Sequence, residues 1–563
     1  MPAKHPRLAV ALALALSLAV AAPASALQPP DFRVVDLVPG SGGSGAAFFT
    51  RLGAWDYFAS YGTSAGLWRT NGTTTELVTD EARVEPAYNY YRSTDTTFAV
   101  LGSYLYFAGV TAAAGVELWR TDGVTTELVK EINPGAADGV GPNFKKLGSY
   151  LYFRGRNATQ GWELWRTNGT TTTLVKDIEP GAGDSYPTQF IEFGGKLYYS
   201  VTTTAAGWEI GRTDGTSAGT VVYDMTAGAS DSSPQDFTIF QSRLYFSGPG
   251  AALWYTSGTG DPVEFPYSPV TVHDLTVMGS QLFFTGSDSE HGRELWVTTG
   301  DITDAAGTAL VADIQDGSSG SDPMYLTVLG SRVYFSADTP EFGRELWSSN
   351  GLNGGTTLVR DLNENSTGPF GVSSYPKSLT VFAGSIYLYA ESTDGSRLWR
   401  VDSSTSASLQ SAIPLPYAGL YSEFNARRLF PSGDKLYVQT DAAGTGEEYA
   451  WMQAPAAPTS VAAPAITGTA KVSRVLTGAR GSWTGVPSAI TSAQWYRCTR
   501  AGTTTPTTSS LSGSGCVAIS GATKATYKAV AADKGKYLRL RVKAQNESGT
   551  VYRWSKATGK IAP

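Results

Sequence analysis

The sequence predicts an all-β chain whose larger part is a β-propeller of about nine four-stranded blades, or eight if one divergent unit is an insertion. The first observation behind this is a repeat. Glu117-Leu-Trp-Arg-Thr-Asp-Gly123 recurs in varied form, and its tryptophan position is filled by Trp68, Trp119, Trp165, Gly211, Trp254, Trp296, Trp347, Trp399 and Trp451. The steps between these positions run from 42 to 52 residues, with a mean of about 48. Self-similarity at that period belongs to units that cannot bury their apolar face alone and must stack on neighbours. The second observation is composition: 63 glycines, only 5 methionines, and Thr and Ser crowded between short apolar pairs. That punctuation suits short strands and tight turns. The third is that no stretch keeps a helical period.

Along the chain, Lys4, His5 and Arg7 open a basic segment, Leu8 to Ala22 is apolar, and Ala24-Ser25-Ala26 has the small residues of a cleavage site. Residues 1–26 therefore read as a secretory signal peptide. No later segment has the roughly 18 apolar residues of a membrane-spanning helix, so no span is expected after cleavage. Residues 27–453 carry the repeats, and Val34 to Leu37 resembles a fourth strand with no unit before it.

Within the third unit, Phe144 to Leu147, Leu151 to Phe153, Glu163 to Arg166 and Leu174 to Ile178 read as four strands. Each is rich in β-branched or aromatic residues and bounded by Gly, Asn or Asp. Adjacent aromatics such as Tyr57-Phe58, Tyr106-Phe107 and Tyr152-Phe153 point to opposite faces of the second strand. A blade packed between two neighbours needs both faces apolar. After the third strand come Asn71-Gly72, Asp122-Gly123, Asn168-Gly169, Asp214-Gly215 and Asn350-Gly351, the dipeptides of tight hairpins. The ninth unit runs into a Pro/Ala stretch, 454–460, before supplying a fourth strand. Val34 to Leu37 is thus expected to complete the blade of Trp451 and close the ring.

These repeats resemble the bacterial ELWRTDGT-type family, found in tandem in secreted and surface proteins. The resemblance rests on the Glu-Leu-Trp-Arg-Thr-Asp-Gly motif, the Leu-Tyr-Phe strand, and Leu-Val-Lys-Asp-Ile with its following Pro180-Gly181. It covers roughly Val34 to Trp451 and implies a propeller. It implies no activity, since propellers host many.

Residues 461–563 break the period, and 454–460 reads as a linker. The series Trp495 to Cys498, Cys516 to Ile519, Ala525 to Tyr527 and Tyr537 to Val542 resembles a bacterial immunoglobulin-like β-sandwich. The resemblance makes Trp495 the core tryptophan and Asp533-x-Gly-x-Tyr537 a tyrosine corner. Arg539 stands where antibody domains place their second cysteine. The chain's two cysteines, Cys498 and Cys516, are expected to pair with each other in an exported protein.

The chemistry-bearing residues exclude more than they suggest. The formal charge is −6 and becomes more negative once Lys4 and Arg7 leave, with no basic cluster, which argues against nucleic acid. Only His273 and His291 remain outside the signal segment, so neither a metal centre nor a cofactor is expected. His273 reads as a strand residue and His291 as a solvent-facing turn residue. The repeated acids Glu117, Glu163, Glu209, Glu294 and Glu345, and Asp36, Asp177, Asp224, Asp313 and Asp361, satisfy turn amides or pair with neighbouring arginines. The sharper alternative gathers them at the ring axis to bind a cation or to serve as a hydrolytic carboxylate pair. No catalytic residue is assigned. Departures from the repeat are better candidates: the tyrosines Tyr88, Tyr90 and Tyr91 cluster in a long connection, and Trp162 and Trp208 each follow a glycine. Such aromatics suit contact with an extracellular glycan or protein. The expectation is a non-catalytic, exported binding or scaffolding protein, with a secreted polysaccharide hydrolase or lyase as the rival.

Overall fold

The computed structural model describes residues 33–38, 42–62, 64–85, 97–269, 271–352, 354–363, 371–393, 395–402, 407–409, 429–440, 448–486, 489–501, 515–546 and 549–563. The signal segment and Tyr88, Tyr90 and Tyr91 lie outside the described residues. The chain divides into two compact units, meeting between Pro455 and Ala456.

Pro30–Pro455 is all-β and folds as a β-propeller. Among the described residues it carries nine antiparallel sheets, each holding one of the nine tryptophan-position residues on its third strand. The Trp165 sheet shows the pattern: Lys145–Leu147, Tyr150–Gly155, Glu163–Thr167 and Thr172–Lys176 pair in chain order. The divergent fifth unit keeps the same order, with a fourth strand reduced to Val263–Glu264. In the Trp119 sheet, Arg83–Val84 also pairs with the second strand, Tyr104–Thr111.

Alternation along the second strand fixes what each sheet buries. Tyr57 packs with Phe98, Leu105 and Phe107 of the following sheet, while its neighbour Phe58 packs with Phe430, Tyr437 and Tyr449 of the Trp451 sheet. Tyr106 and Phe107 divide the same way between the Trp165 and Trp68 sheets. Every pair of successive sheets shares such a cluster, and the last sheet shares one with the first. At that seam the rings of Phe49 and Tyr437 stack 3.9 Å apart. Buried Asp56 accepts from Arg51 Nε at 2.6 Å, Ser432 Oγ at 2.6 Å and Tyr437 Oη at 2.6 Å.

The N-terminal strand joins the sheet the sequence assigns it to, but as Arg33–Val35 and not Val34 to Leu37. It pairs with Glu448–Gln453 in the register Arg33 with Trp451, Val34 with Ala450 and Val35 with Tyr449. The fourth strand of the last sheet therefore comes from the start of the unit. Leu37 and Val38 then donate their backbone N–H groups to Glu448.

Among the described residues, Ala456–Pro563 forms three smaller sheets. Residues 456–460, read from sequence as part of a linker, lie instead in the strand Ala456–Ala462, which pairs with Ser482–Val486. The two prolines there, Pro455 and Pro458, precede and interrupt the pairing, and the register shifts between Ala456 and Thr459. Trp495 is fully buried with Leu476, Leu538, Leu540 and Val542, and its indole N–H donates to the Lys524 carbonyl at 2.9 Å. Cys498 and Cys516 face each other on paired strands and form a disulfide. Arg539 is buried, its guanidinium donating to the carbonyls of Ala501 and Ser555, and burial lowers its pKa. Asp533 accepts from Tyr527, Arg497 and the Val530 amide. The Tyr527 hydroxyl lies 2.9 Å from this buried aspartate.

Candidate functional site

The residues that define the repeat are consumed by the fold. Glu117 accepts from the amides of Ile132 and Asn133 at 2.7 and 2.9 Å, just past its sheet's fourth strand. Glu163 takes Ile178 N and Ser185 Oγ; Glu294 takes Ser321 N and Oγ; Glu345 takes Leu362 N, Ser374 N and Oγ. All four are fully buried. Each clamps the connection from its own sheet to the next, where orphan amides need an acceptor. Desolvation, outweighing these bonds, pushes the carboxyls of Glu117, Glu163 and Glu345 up to about 7.

The second acidic set caps turns: Asp177, Asp224 and Asp313 accept from the amides of Gly181, Gly228 and Gly317, four residues on. The arginines pair elsewhere. Arg69 and Arg120 bind Glu76 and Glu127 on the fourth strand, and each donates at 2.7 Å to the carbonyl of Gly123 or Gly169 in the next sheet's hairpin. The motif is therefore an inter-sheet fastening.

A second repeated device emerges only in three dimensions. Ser185-Tyr186-Pro187, Ser232-Ser233-Pro234, Ser321-Asp322-Pro323 and Ser374-Tyr375-Pro376 open the fourth, fifth, seventh and eighth sheets. The serine binds the preceding sheet's glutamate, and the middle residue is left-handed, with φ of 43°, 46°, 47° and 48°. That conformation is unfavourable for a non-glycine residue before proline. Backbone bonds hold it: Tyr186 N donates to Trp162 O, Ser233 N to Trp208 O and Tyr375 N to Arg344 O. The middle side chain and the residue after the second-to-third-strand turn thus lie side by side on one face of the propeller. Tyr186 and Tyr375 are exposed there.

Side chains at these positions vary. In the seventh sheet, Asp322 is neutralised between Arg293 and Arg344, at 3.1 and 3.2 Å. Between the third and fourth sheets the group is different. Half-buried Trp162 has Arg156 and Arg154 over its ring, 4.8 and 5.4 Å from the centroid. Asp184 accepts the Trp162 amide at 2.7 Å, and its interaction with Tyr186 raises the tyrosine's pKa. Trp208 repeats the backbone arrangement of Trp162, its amide on Asp231 at 2.8 Å. Two aromatic rings and two guanidiniums held this way can stack on and ion-pair with a ligand.

Of the sequence-derived candidates, Trp162 and Trp208 stand on this face, Cys498 and Cys516 are structural, and Tyr88, Tyr90 and Tyr91 fall outside the described residues. His273 lies on a first strand, 3.9 Å from Asp236. His291, expected to face solvent, is half-buried with Nδ1 2.9 Å from Asp288. Arg154 and Arg156 are functional candidates that sequence reasoning passes over. Their signal is departure from the repeat, since residues in Arg154's register are mostly Ala, Ser or Thr. Among the described residues no cluster of His, Cys, Asp and Glu could hold a metal ion, and no helix is long and apolar enough to cross a membrane. On the opposite face an open groove is lined by Tyr104, Arg120, Lys146 and Asn168, but its arginine is committed to Glu127 and Gly169.

No family model and no curated protein matches this sequence. Solved structures do match. BamB from Moraxella catarrhalis is 14% identical over 63% of this chain and 95% of its own, with a TM-score of 0.33. PorZ, a bacterial surface component of the type-IX secretion system of Porphyromonas gingivalis, is 11% identical over 90% of this chain and 75% of its own, TM-score 0.33. Puromycin hydrolase is 13% identical over 65% of this chain, TM-score 0.33, and this chain spans 61% of its length. Likeness at this level transfers no site and no activity.

Proposed function

We propose that this is an exported, non-catalytic binding or scaffolding protein, with residues 1–26 a signal peptide, 27–453 a closed nine-bladed propeller and 456–563 an immunoglobulin-like module. The propeller recognises an extracellular glycan or protein on the face of Trp162, Tyr186 and Trp208. The single observation that carries this reading is the fate of the repeated carboxylates. Glu117, Glu163, Glu294 and Glu345 are fully buried and bound to backbone amides or serine hydroxyls, and so do not form an exposed pair across a scissile bond. The variable positions on the neighbouring face carry aromatics and arginines, which suit contact.

Tyr88, Tyr90 and Tyr91 form a second contact element in this proposal, argued from sequence alone. Replacing all three with Ala is expected to leave the melting temperature within about 2 °C, as for surface substitutions generally, while weakening ligand binding. Profiling the secreted protein against polysaccharides and peptides tests the whole reading. Saturable binding without turnover is expected. Turnover that disappears when one acidic pair is changed would establish the hydrolase or lyase instead.

A further inference from the structure

Arg154 faces Leu164 in its sheet's strand register, and the same register holds Ala59, Ala108, Ser200, Ser247, Thr285 and Ser336 in six other sheets. The eighth sheet fills the position with buried Tyr389, so among these sheets the third alone places a charge there. The connection that opens the third sheet makes room for the arginine. Val140 N donates to Val116 O as Tyr186 N does to Trp162 O, so Gly141 stands where the fourth, fifth, seventh and eighth sheets have proline, and a Cβ on Gly141 would lie 2.2 Å from Arg154 Nε. Where other sheets carry a side chain, this one carries the stem of Arg154. Arg156, two residues on, anchors Nε on the Asp138 carbonyl at 2.8 Å, and among the described residues it has no carboxylate within ion-pair distance. Its remaining donors stay free for a ligand.

The aromatic half of the cluster is equally fixed. Trp162 lies under both guanidiniums with its amide on Asp184, and Tyr186 is held by its backbone amide on Trp162 O. A platform already rigid in the free protein loses little entropy on binding. The surrounding backbone is spoken for: Ser185 and Tyr186 donate to Trp162 O, and Thr202 donates to Ser185 O. A peptide therefore finds no unpaired strand edge to extend here. A sugar needs none, because its C–H face stacks on an aromatic ring.

Building on the binding reading above, we propose that Arg154, Arg156, Trp162 and Tyr186 form a subsite for an acidic saccharide. A uronate carboxylate would pair with Arg156, and the pyranose ring would rest against the exposed aromatic surface. A planar guanidinium matches a carboxylate bidentately, which a neutral sugar cannot use. The protein's own negative charge makes a long polyanion a poor general partner, so attraction is confined to this patch.

Calorimetric titration of the full secreted chain with oligogalacturonate, neutral dextran and poly-glutamate tests this. Oligogalacturonate is expected to bind, more weakly as salt rises, and Arg156→Gln and Trp162→Ala are each expected to weaken it at least about tenfold, a loss common at such contacts. Tyr186→Gly keeps the left-handed backbone while removing the ring, so it is expected to weaken binding with no loss of melting temperature. Equal binding of dextran, stronger binding of poly-glutamate, or an Arg156→Gln variant that binds oligogalacturonate normally would overturn the subsite. Absence of oligogalacturonate binding would overturn it too. A different ligand from the profile, unaffected by Arg156→Gln, would leave the general binding role standing while removing this subsite. Turnover in that profile would remove the binding-only role itself.

Discussion

Glycine and glutamate positions show how single residues set the ring. Gly169 has φ +87°, and a Cβ there would lie 2.4 Å from the Tyr106 hydroxyl of the preceding sheet. Both the backbone and the close approach therefore require glycine. Gly169→Ala should destabilise the propeller by roughly 1–3 kcal/mol, because native strain adds to steric conflict. Thermal unfolding reads this directly, and an unchanged midpoint would mean that the hairpin is not pressed against its neighbour. Glu163→Ala removes the acceptor for Ile178 N and Ser185 Oγ inside a buried connection. Leaving such donors unpaired costs about 1–3 kcal/mol. The glycine's role can be read from the sequence as a turn preference, but its contact with the next sheet cannot. The glutamate's role is legible only as a choice between amides and arginines, since both lie nearby in sequence.

Strands carry the closure. Arg33–Val35 is short and largely exposed, yet it supplies the only fourth strand that the Trp451 sheet has among the described residues. Deleting 33–38 also removes the two amides that Glu448 accepts. The expected outcome is a lowered midpoint for the whole propeller in one cooperative step, because each sheet is supported on both sides and an open seam weakens both neighbours. Loss of ellipticity from the last sheet alone would contradict this. In the smaller unit, Cys498→Ser should cost about 3 kcal/mol in the chain-entropy account of an 18-residue loop, and only that unit's transition should move. Most of this architecture is legible because the Leu-Trp strand, the paired aromatics and the Asn/Asp-Gly turns recur at a fixed period. The proposed binding cluster is not, because Arg154 and Arg156 look like ordinary strand charges until strand register shows that six counterparts of Arg154 are Ala, Ser or Thr and another is Tyr389. The Ser-x-Pro device is hidden for a related reason: proline disfavours the left-handed residue before it, and the bonds to Trp162, Trp208, Arg293 or Arg344 override that preference.

At the scale of the whole molecule, the ring accumulates one electrostatic effect. Glu117, Glu163 and Glu345 have carboxyls raised from an ordinary 4.5 to about 7 by burial, and Glu209, Glu294 and Glu448 are raised in the same direction for the same reason. Below pH 4.5 these groups are protonated in both the folded and unfolded chain, and the stabilising difference between the two states is at its full value. As pH rises from 4.5 towards 7, the unfolded chain releases their protons first while the folded ring retains them. Stability from this source is therefore full at low pH and lost as pH passes through the folded values. A tenfold change in proton affinity corresponds to about 1.4 kcal/mol, so one such glutamate contributes on the order of 1–3 kcal/mol across that window. Exposed turn acids such as Asp122 and Asp214 are shifted downward by their turn amides and hydroxyls and oppose the trend at lower pH. The clean measurement is accordingly a difference. The fall in midpoint between pH 5 and pH 8 should be smaller for Glu163→Gln than for the parent, and smaller again when Glu345→Gln is added, because glutamine carries the same shape without the titration. Parallel pH profiles for all three proteins would show that the connections between blades hold their glutamates ionised throughout, and that the amides and serines, rather than burial, decide their charge.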